Sequence, residues 1–297
     1  MHYVRLRLKE EFTVNQIISF HYSELPKNSF FPGEKHDFWE FLYMDKGEAE
    51  ITAGKHTLHL RQGDLVFYTP NEIHSLKGNG HSAPNIMIVC FECHSPAMNY
   101  FKDKCFHLGD RERAILSSLL HEGRLAFDRS YGNKSALLVK RSPAEFGSEQ
   151  MVKIYLEWLL IQLFRNDNLL SREPRLSTGA KEKTEASIAN SVIRYMENHL
   201  SGNPTLEEIC RHAHVGATRL KLLFKKETGY TLSEYQNKLK IDKAKQYIRE
   251  ETMNYTQIAE KLGYSSVHYF SRHFKKCTGM SPSEYDKSIK ARALDFF

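Results

Sequence analysis

The sequence predicts a multidomain α+β protein: a β-rich N-terminal part closed as a barrel or sandwich, a helical segment, and an all-α C-terminal third. Three observations predict it. Short apolar runs bounded by turn residues crowd residues 1–105, helical periodicity takes over from residue 110, and a helical block near the C-terminus repeats itself at an offset of 50 residues. A length of 297 residues is itself a prior for two domains.

The β-rich part contains the runs Phe41–Met44, Glu48–Thr52, Leu65–Tyr68 and Ile86–Phe91. Gly47, Gly54, Gly63–Asp64, Pro70–Asn71 and Gly78–Gly80 separate them as turn residues do. Many short strands at even spacing suggest closure into a barrel or sandwich. Residues 110–126 follow as a helix, with Ile115, Leu116, Leu119 and Leu120 at helical spacing. Residues 127–147 are polar and read as a loop or insert. Residues 149–166 form the most apolar helix, in which Trp158 adds a second apolar face to Val152, Leu156, Leu159, Leu160 and Leu163. A helix apolar on more than one side is buried or sits at an interface. The charged segment 167–185, with Pro174 and Gly179, reads as a linker.

Charge separates the parts. Residues 1–185 hold 24 Lys+Arg against 24 Asp+Glu, whereas residues 186–297 hold 18 against 12, which is the whole net charge of +6. Such an asymmetry is a cue for a polyanionic partner. No segment has the ~20 apolar residues of a membrane span, and Met1–Glu11 lacks the apolar run of a signal peptide. The five cysteines are odd in number and irregularly spaced, as expected of free thiols in a reducing cytosol. A cytoplasmic location without membrane contact is the expectation.

The repeat carries the main argument. Phe224-Lys225-Lys226-Glu227-Thr228-Gly229 returns as Phe274-Lys275-Lys276-Cys277-Thr278-Gly279, and Ser233-Glu234-Tyr235 as Ser283-Glu284-Tyr285. Each copy reads as a helix-turn-helix. In the first, Thr205 caps a helix containing Leu206 and Ile209, His214–Gly216 turns the chain, and 217–227 is the second helix. In the other, Tyr255–Leu262 is the first helix, Gly263 makes the turn, and Ser265 or Ser266 starts the second helix. Gly229 and Gly279 end the second helices, and a helix over 231–249 joins the units. Leu220, Leu223 and Phe224 are expected to point inward in one second helix, and Phe270, Phe274 and Cys277 in the other. The outer faces present Thr218, Arg219, Lys221, Leu222 and Lys225, then His268, Tyr269, Arg272 and Lys276, with Lys226 and Lys275 beside them. A charged outer face is usually only a solvated face. Duplication, the excess positive charge and the placement after a tight turn favour duplex DNA as the partner.

On the stretches Ile209–Gly229 and Ile258–Tyr285, with Gly279-Met280-Ser281-Pro282 near the latter's end, residues 190–286 resemble the DNA-binding domain of the AraC/XylS family of bacterial transcription regulators. The resemblance implies two helix-turn-helix units in successive major grooves, ~34 Å apart. Carried over by position, base contacts fall to Thr218, Lys221 and Leu222, and to Val267, His268, Tyr269 and Arg272. Leu222 and Val267 depart from the polar pattern, and apolar side chains can touch only thymine methyls or sugars.

Pro32-Gly33-Glu34-Lys35-His36-Asp37-Phe38-Trp39-Glu40, with Gly47, resembles the first motif of the cupin barrel, and Gly63-Asp64-Leu65 through His74 resembles the second. Enzymatic cupins hold a metal there with two His, a Glu and a further His; Glu34 stands at the first His position. Strand alternation puts His36, Phe38 and Glu40 on one inward face and Trp39 on the other. His36, Phe38, Glu40 and His74 are therefore the expected effector-binding residues, suited to a small polar molecule such as a sugar or related metabolite. Cys90-Phe91-Glu92-Cys93-His94 has the spacing of a c-type haem attachment site, but it ends a strand-like run in a chain with no export signal, so ordinary thiols are expected.

The fold expected is thus an N-terminal cupin-like β-barrel (1–105) with a helical dimerisation segment (106–170). A linker (171–185) leads to an all-α double helix-turn-helix domain (186–290). The function expected is a sequence-specific, effector-controlled transcription regulator, not an enzyme and without cofactor or bound metal. Its partners would be duplex DNA, the effector, a second copy of the chain and RNA polymerase. Two rivals stand beside it: a metal-dependent cupin enzyme fused to a DNA-binding domain, and a structural DNA-binding protein whose barrel only dimerises.

Overall fold

The computed structural model describes residues 4–128, 138–168 and 179–295. The chain divides into two compact units, Met1–Ser171 with Lys290–Phe297, and Arg172–Ile289. No helix among the described residues is long and apolar enough to cross a membrane.

The first unit begins with nine strands: β1 (Val14–Glu24), β2 (Phe30–Glu34), β3 (Trp39–Lys46), β4 (Glu48–Ala53), β5 (His56–Arg61), β6 (Asp64–Tyr68), β7 (His74–Gly78), β8 (Asn85–Cys93) and β9 (Cys105–His107). They form two antiparallel sheets, β1-β8-β3-β6-β9 and β2-β7-β4-β5. Inner residues of both sheets make one core, with Leu42, Met44, Val66 and Ile86 from one sheet and Ile51, Leu60 and Leu76 from the other.

The larger sheet is covered on its outer face as well. Trp39, Phe41 and Tyr43 of β3 and Met87, Val89 and Phe91 of β8 pack with α1 (Asp110–Ala126) and α2 (Ser148–Asn168). Burial on both faces explains why β3 and β8 read as continuous apolar runs rather than alternating ones. Trp39 lies outside the inner core, as its parity predicts, yet it is buried because the helices cover it. Close helix approach needs Gly123 on α1. A Cβ there would stand 2.3 Å from the Phe20 ring of β1.

Three expectations change. The segment 127–147 is not wholly loop, since β10 (Phe127–Asp128) pairs with β11 (Val139–Lys140) at its base; its centre, 129–137, lies outside the described residues. The segment expected as a linker is partly helical: α2 reaches Asn168 and α3 starts at Gly179. Only 169–178 lie outside the described residues. Ala, Lys and Glu are strong helix formers, so a charged run without apolar periodicity still supports a helix. Leu160, in the apolar helix of the segment expected to dimerise, is fully buried in this unit's own core.

The second unit holds α3 (Gly179–Asn198), α4 (Leu206–Ala213), α5 (Ala217–Thr228), α6 (Leu232–Glu250), α7 (Tyr255–Lys261), α8 (Val267–Thr278) and α9 (Pro282–Asp295). It has two small cores. Val192, Met196, Ile209, Leu220 and Phe224 build one; Ile248, Ile258, Leu262, Phe270 and Phe274 build the other. α6 belongs to both, giving Leu232 and Leu239 to the first and Ile241, Ala244 and Ile248 to the second.

The helix starts follow from sequence. Thr205 with Glu208, Thr231 with Glu234 and Asn254 with Gln257 form reciprocal capping boxes. Ser266, not Ser265, caps α8 by accepting from the Tyr269 N–H. Gly263 turns between α7 and α8 at φ +68°, and a Cβ would meet the Ser201 carbonyl oxygen at 2.3 Å, so only glycine fits. Cys277 departs from expectation: it is exposed, whereas Phe270 and Phe274 are buried.

Candidate DNA-binding surface and effector pocket

In the second unit, α5 and α8 are each anchored by an inward aromatic or aliphatic set and turn a charged face outward. Thr218, Arg219, Lys221, Leu222, Lys225 and Lys226 are all exposed on α5, as are His268, Tyr269, Arg272, Lys275 and Lys276 on α8. Positions 218, 221, 222 and 225 share one helix face, since residues three and four apart are neighbours. Val267 is the exception, half buried against the second core with Phe270 and Tyr264. Placed at the first helical position, it closes the turn and is poorly exposed for a base contact.

Some of the cations already have partners. Lys226 Nζ lies 3.0 Å from Glu185 of α3, and Lys275 Nζ lies 3.8 Å from Glu284. Such exposed pairs are worth about 0–1 kcal/mol and compete poorly with a phosphate. One supporting residue escaped the sequence reading. His273 lies with its ring parallel to that of Tyr269 and its Nδ1 2.9 Å from the Tyr264 hydroxyl. Burial, then the charges of Lys240 and Lys276, lowers its pKa and keeps it neutral. Its spacing of four from Tyr269 was the available signal.

In the first unit, four expected residues converge at one end of the space between the sheets. Glu40, on the inner face of β3, is buried. His36 Nε2 lies 3.2 Å from its carboxylate, and His36 Nδ1 lies 3.0 Å from the Phe38 carbonyl oxygen. The Phe38 ring stacks on His36 at 3.9 Å between centroids. His74, also buried, places Nε2 3.8 Å from both Glu40 and Glu34, and this nitrogen has no hydrogen-bond partner among the described residues. Its other nitrogen lies 3.0 Å from the Glu72 carbonyl oxygen, and Tyr68 stacks on its ring.

Sequence motifs did not reveal Cys90, which donates its thiol proton to Glu40 at 3.1 Å from β8. Cys90 stands directly opposite Glu40 in the β3–β8 register, and facing pairs share a side of a sheet. Cys93 lies on the other side, buried among the helices, so the two thiols do face opposite ways while neither is a surface residue. Ser19 and His21 of β1, opposite Cys90 and Ile88, extend the polar lining. The alternation Ser19, His21, Ser23 against Phe20 and Tyr22 was the missed signal.

The electrostatics centre on Glu40. Burial lowers the pKa of His36, but the hydrogen bond and charge of Glu40 and the Phe38 carbonyl outweigh it, so the net shift is upward. Burial, and then the Glu40 charge, pushes the Cys90 thiol far above its ordinary value. Tyr68 is likewise raised, first by burial. The cluster thus offers a buried carboxylate, an imidazole that gains a proton easily and an imidazole nitrogen without a hydrogen-bond partner among the described residues. That set suits hydroxyl groups, which can donate and accept. The ligand atoms of His36, Glu40 and Cys90 also lie within 4.8 Å of one another, a spacing open to a metal ion.

Comparison with known proteins agrees with both units. Residues 17–82 match the family model of an AraC-like ligand binding domain, and residues 209–288 match that of a helix-turn-helix domain. The chain is 23% identical over 263 residues to YfiF of Bacillus subtilis, described as an uncharacterized HTH-type transcriptional regulator. That match covers 89% of this chain and 81% of YfiF. It is 27% identical over 142 residues, 48% of either chain, to the arabinose operon regulatory protein of Escherichia coli. Among solved structures, the C-terminal domain of AraT from Geobacillus stearothermophilus shares 30% identity over 34% of this chain and 84% of that one, at a TM-score of 0.33. With a ligand-binding domain before a duplicated helix-turn-helix, the chain belongs to the AraC/XylS family of transcription regulators and is an effector-controlled DNA-binding protein.

Proposed function

We propose that α5 and α8 each enter a major groove, and that the pocket around Glu40 binds a sugar or related metabolite that governs this binding. The observation that carries the first part is the pair of helices of equal length, each seated on its own core with a cationic face exposed. Thr218, Lys221 and Leu222 on α5, and His268, Tyr269 and Arg272 on α8, reach base edges in this reading. Arg219, Lys225, Lys226, Lys275 and Lys276 contact phosphates. His36, Phe38, Glu40 and His74 hold the effector: a stacked aromatic plate beside a carboxylate and imidazoles fits a polyol, and a relative regulates an arabinose operon.

Residues 1–105 sense the effector, 106–170 dimerise, and the segment after them couples the sensor to the DNA-binding part. The exposed face of α2, with Ile154 and Trp158, supports dimerisation. The protein works in the cytoplasm on duplex DNA, with RNA polymerase as a further partner. A thermal-shift screen of the purified protein against sugars, followed by binding to its own upstream DNA with and without the hit, tests the whole reading. Failure of every small molecule to shift either measurement would favour the purely structural role.

Arg272→Ala is expected to weaken specific binding by roughly 1–3 kcal/mol and to relax preference at one base position, because a bidentate donor is lost. Lys226→Ala is expected to weaken all sequences about equally and to flatten the salt dependence. Selected-site profiling and salt titration distinguish the two.

A second reading, a metal-dependent enzyme joined to a DNA-binding domain, has the His36–Glu40–Cys90 spacing in its favour. Metal analysis decides. The regulator reading expects no stoichiometric metal, whereas iron, manganese or nickel at one per chain, lost in His36→Ala, establishes the alternative.

A further inference from the structure

We infer that α5 and α8 read different bases from one and the same place in their frames: Leu222 takes a thymine methyl where Arg272 takes a guanine. The operator is then an unequal pair of sites, an A·T pair answering to one helix and a G·C pair to the other, about one helical turn apart. The inference rests on the proposal that both helices enter major grooves.

The equivalence of the two positions is structural. α5 and α8 are both 12 residues long and start 50 residues apart. Both are stopped by glycines in the left-handed region, at φ +75° and +81°. Both are pinned at matching places, Leu220 with Phe270 and Phe224 with Phe274, all fully buried. Two helices held by the same turns present position 222 and position 272 in the same direction.

What they present is opposite in chemistry. Leu222 is 70% exposed and belongs to neither core. Arg272 is exposed and makes no ion pair among the described residues. A single exposed leucine is commonplace on protein surfaces. This one occupies the place that its duplicate gives to a guanidinium, amid Lys221, Lys225 and Lys226. In the major groove the apolar group a base offers is the thymine methyl, and the double acceptor that fits a guanidinium is guanine. The neighbouring positions differ as well, with Thr218 matched by His268 and Arg219 by Tyr269. The duplication therefore preserves the scaffold and not the reading surface.

The test uses the full-length protein and a random duplex pool, selected at fixed salt. In the enriched duplex each thymine is then replaced by deoxyuridine, which removes only the methyl group. Wild type is expected to lose about fourfold in affinity at one thymine, the effect of one buried methyl-sized group. Leu222→Ala is expected to be indifferent to that replacement. Leu222→Arg is expected to change the preference from thymine to guanine at one position and leave the rest of the profile intact. Because the side chain is exposed, the variants fold, and thermal unfolding verifies it. Enrichment of a clear sequence with no methyl effect in wild type, or an unchanged profile in Leu222→Arg, overturns the inference alone. A wild-type protein that enriches no sequence overturns it together with the groove-reading proposal beneath it.

Discussion

Leu160→Glu is expected to unfold the N-terminal unit, whereas Trp158→Glu, two residues away on the same helix, is expected to leave it folded. Leu160 is fully buried in one cluster with Leu156, Leu159, Ile115 and Leu119. A charge buried without a partner costs several kcal/mol, and losing the leucine's own packing adds about 2–5 kcal/mol. Domains hold only about 5–15 kcal/mol in total. Trp158 is 41% exposed and stacks on Tyr155. Its replacement removes apolar area from the proposed dimer face and little from the core. Denaturant unfolding should show a loss above about 4 kcal/mol for Leu160→Glu and under about 1 kcal/mol for Trp158→Glu. Sedimentation should show Trp158→Glu as a folded monomer. A wild-type protein that is itself monomeric at micromolar concentration sinks the dimer proposal.

Glu40→Ala is expected to abolish the effector response while the protein still folds and binds DNA. The carboxylate is the common partner of His36, Cys90 and, at longer range, His74. Its removal takes away that shared carboxylate and leaves the apolar core on both faces of the sheet in place. Calorimetry with the identified effector should show no binding, and operator affinity should no longer change when effector is added. In wild type the coupling must be reciprocal, so operator DNA changes effector affinity by the factor by which effector changes operator affinity. A Glu40→Ala protein that binds effector normally rules out the pocket.

The same contact has a pH signature. The folded-state pKa of His36 lies above its usual 6.5. The stability this adds is fully present below that value and is lost as pH rises through the raised pKa. Glu40→Ala should remove that dependence from the pH profile of thermal unfolding.

The helical half is legible in the sequence almost completely. Capping boxes at Thr205, Thr231 and Asn254, stop glycines at 229 and 279, and an internal repeat are local signals, and each acts within a few residues of where it is written. Parity within β3 is legible too, and it puts Glu40 inward and Trp39 outward; His36 and Phe38, expected on the same strand, lie instead in the connection between β2 and β3 and reach Glu40 from that turn rather than by alternation. The rest depends on packing, since the deciding contacts join residues far apart in the chain. Cys90 reaches Glu40 because β8 runs beside β3 in one particular register. Leu160 is interior and Trp158 exterior because α2 meets α1 along one stripe, and a helix apolar on two sides does not say which side finds its neighbour first. Val267 and Cys277 changed places with respect to expectation for the same reason. Whether a side chain at a helix end is covered depends on the angle at which the next element arrives, and that angle is set by packing rather than by spacing in the chain.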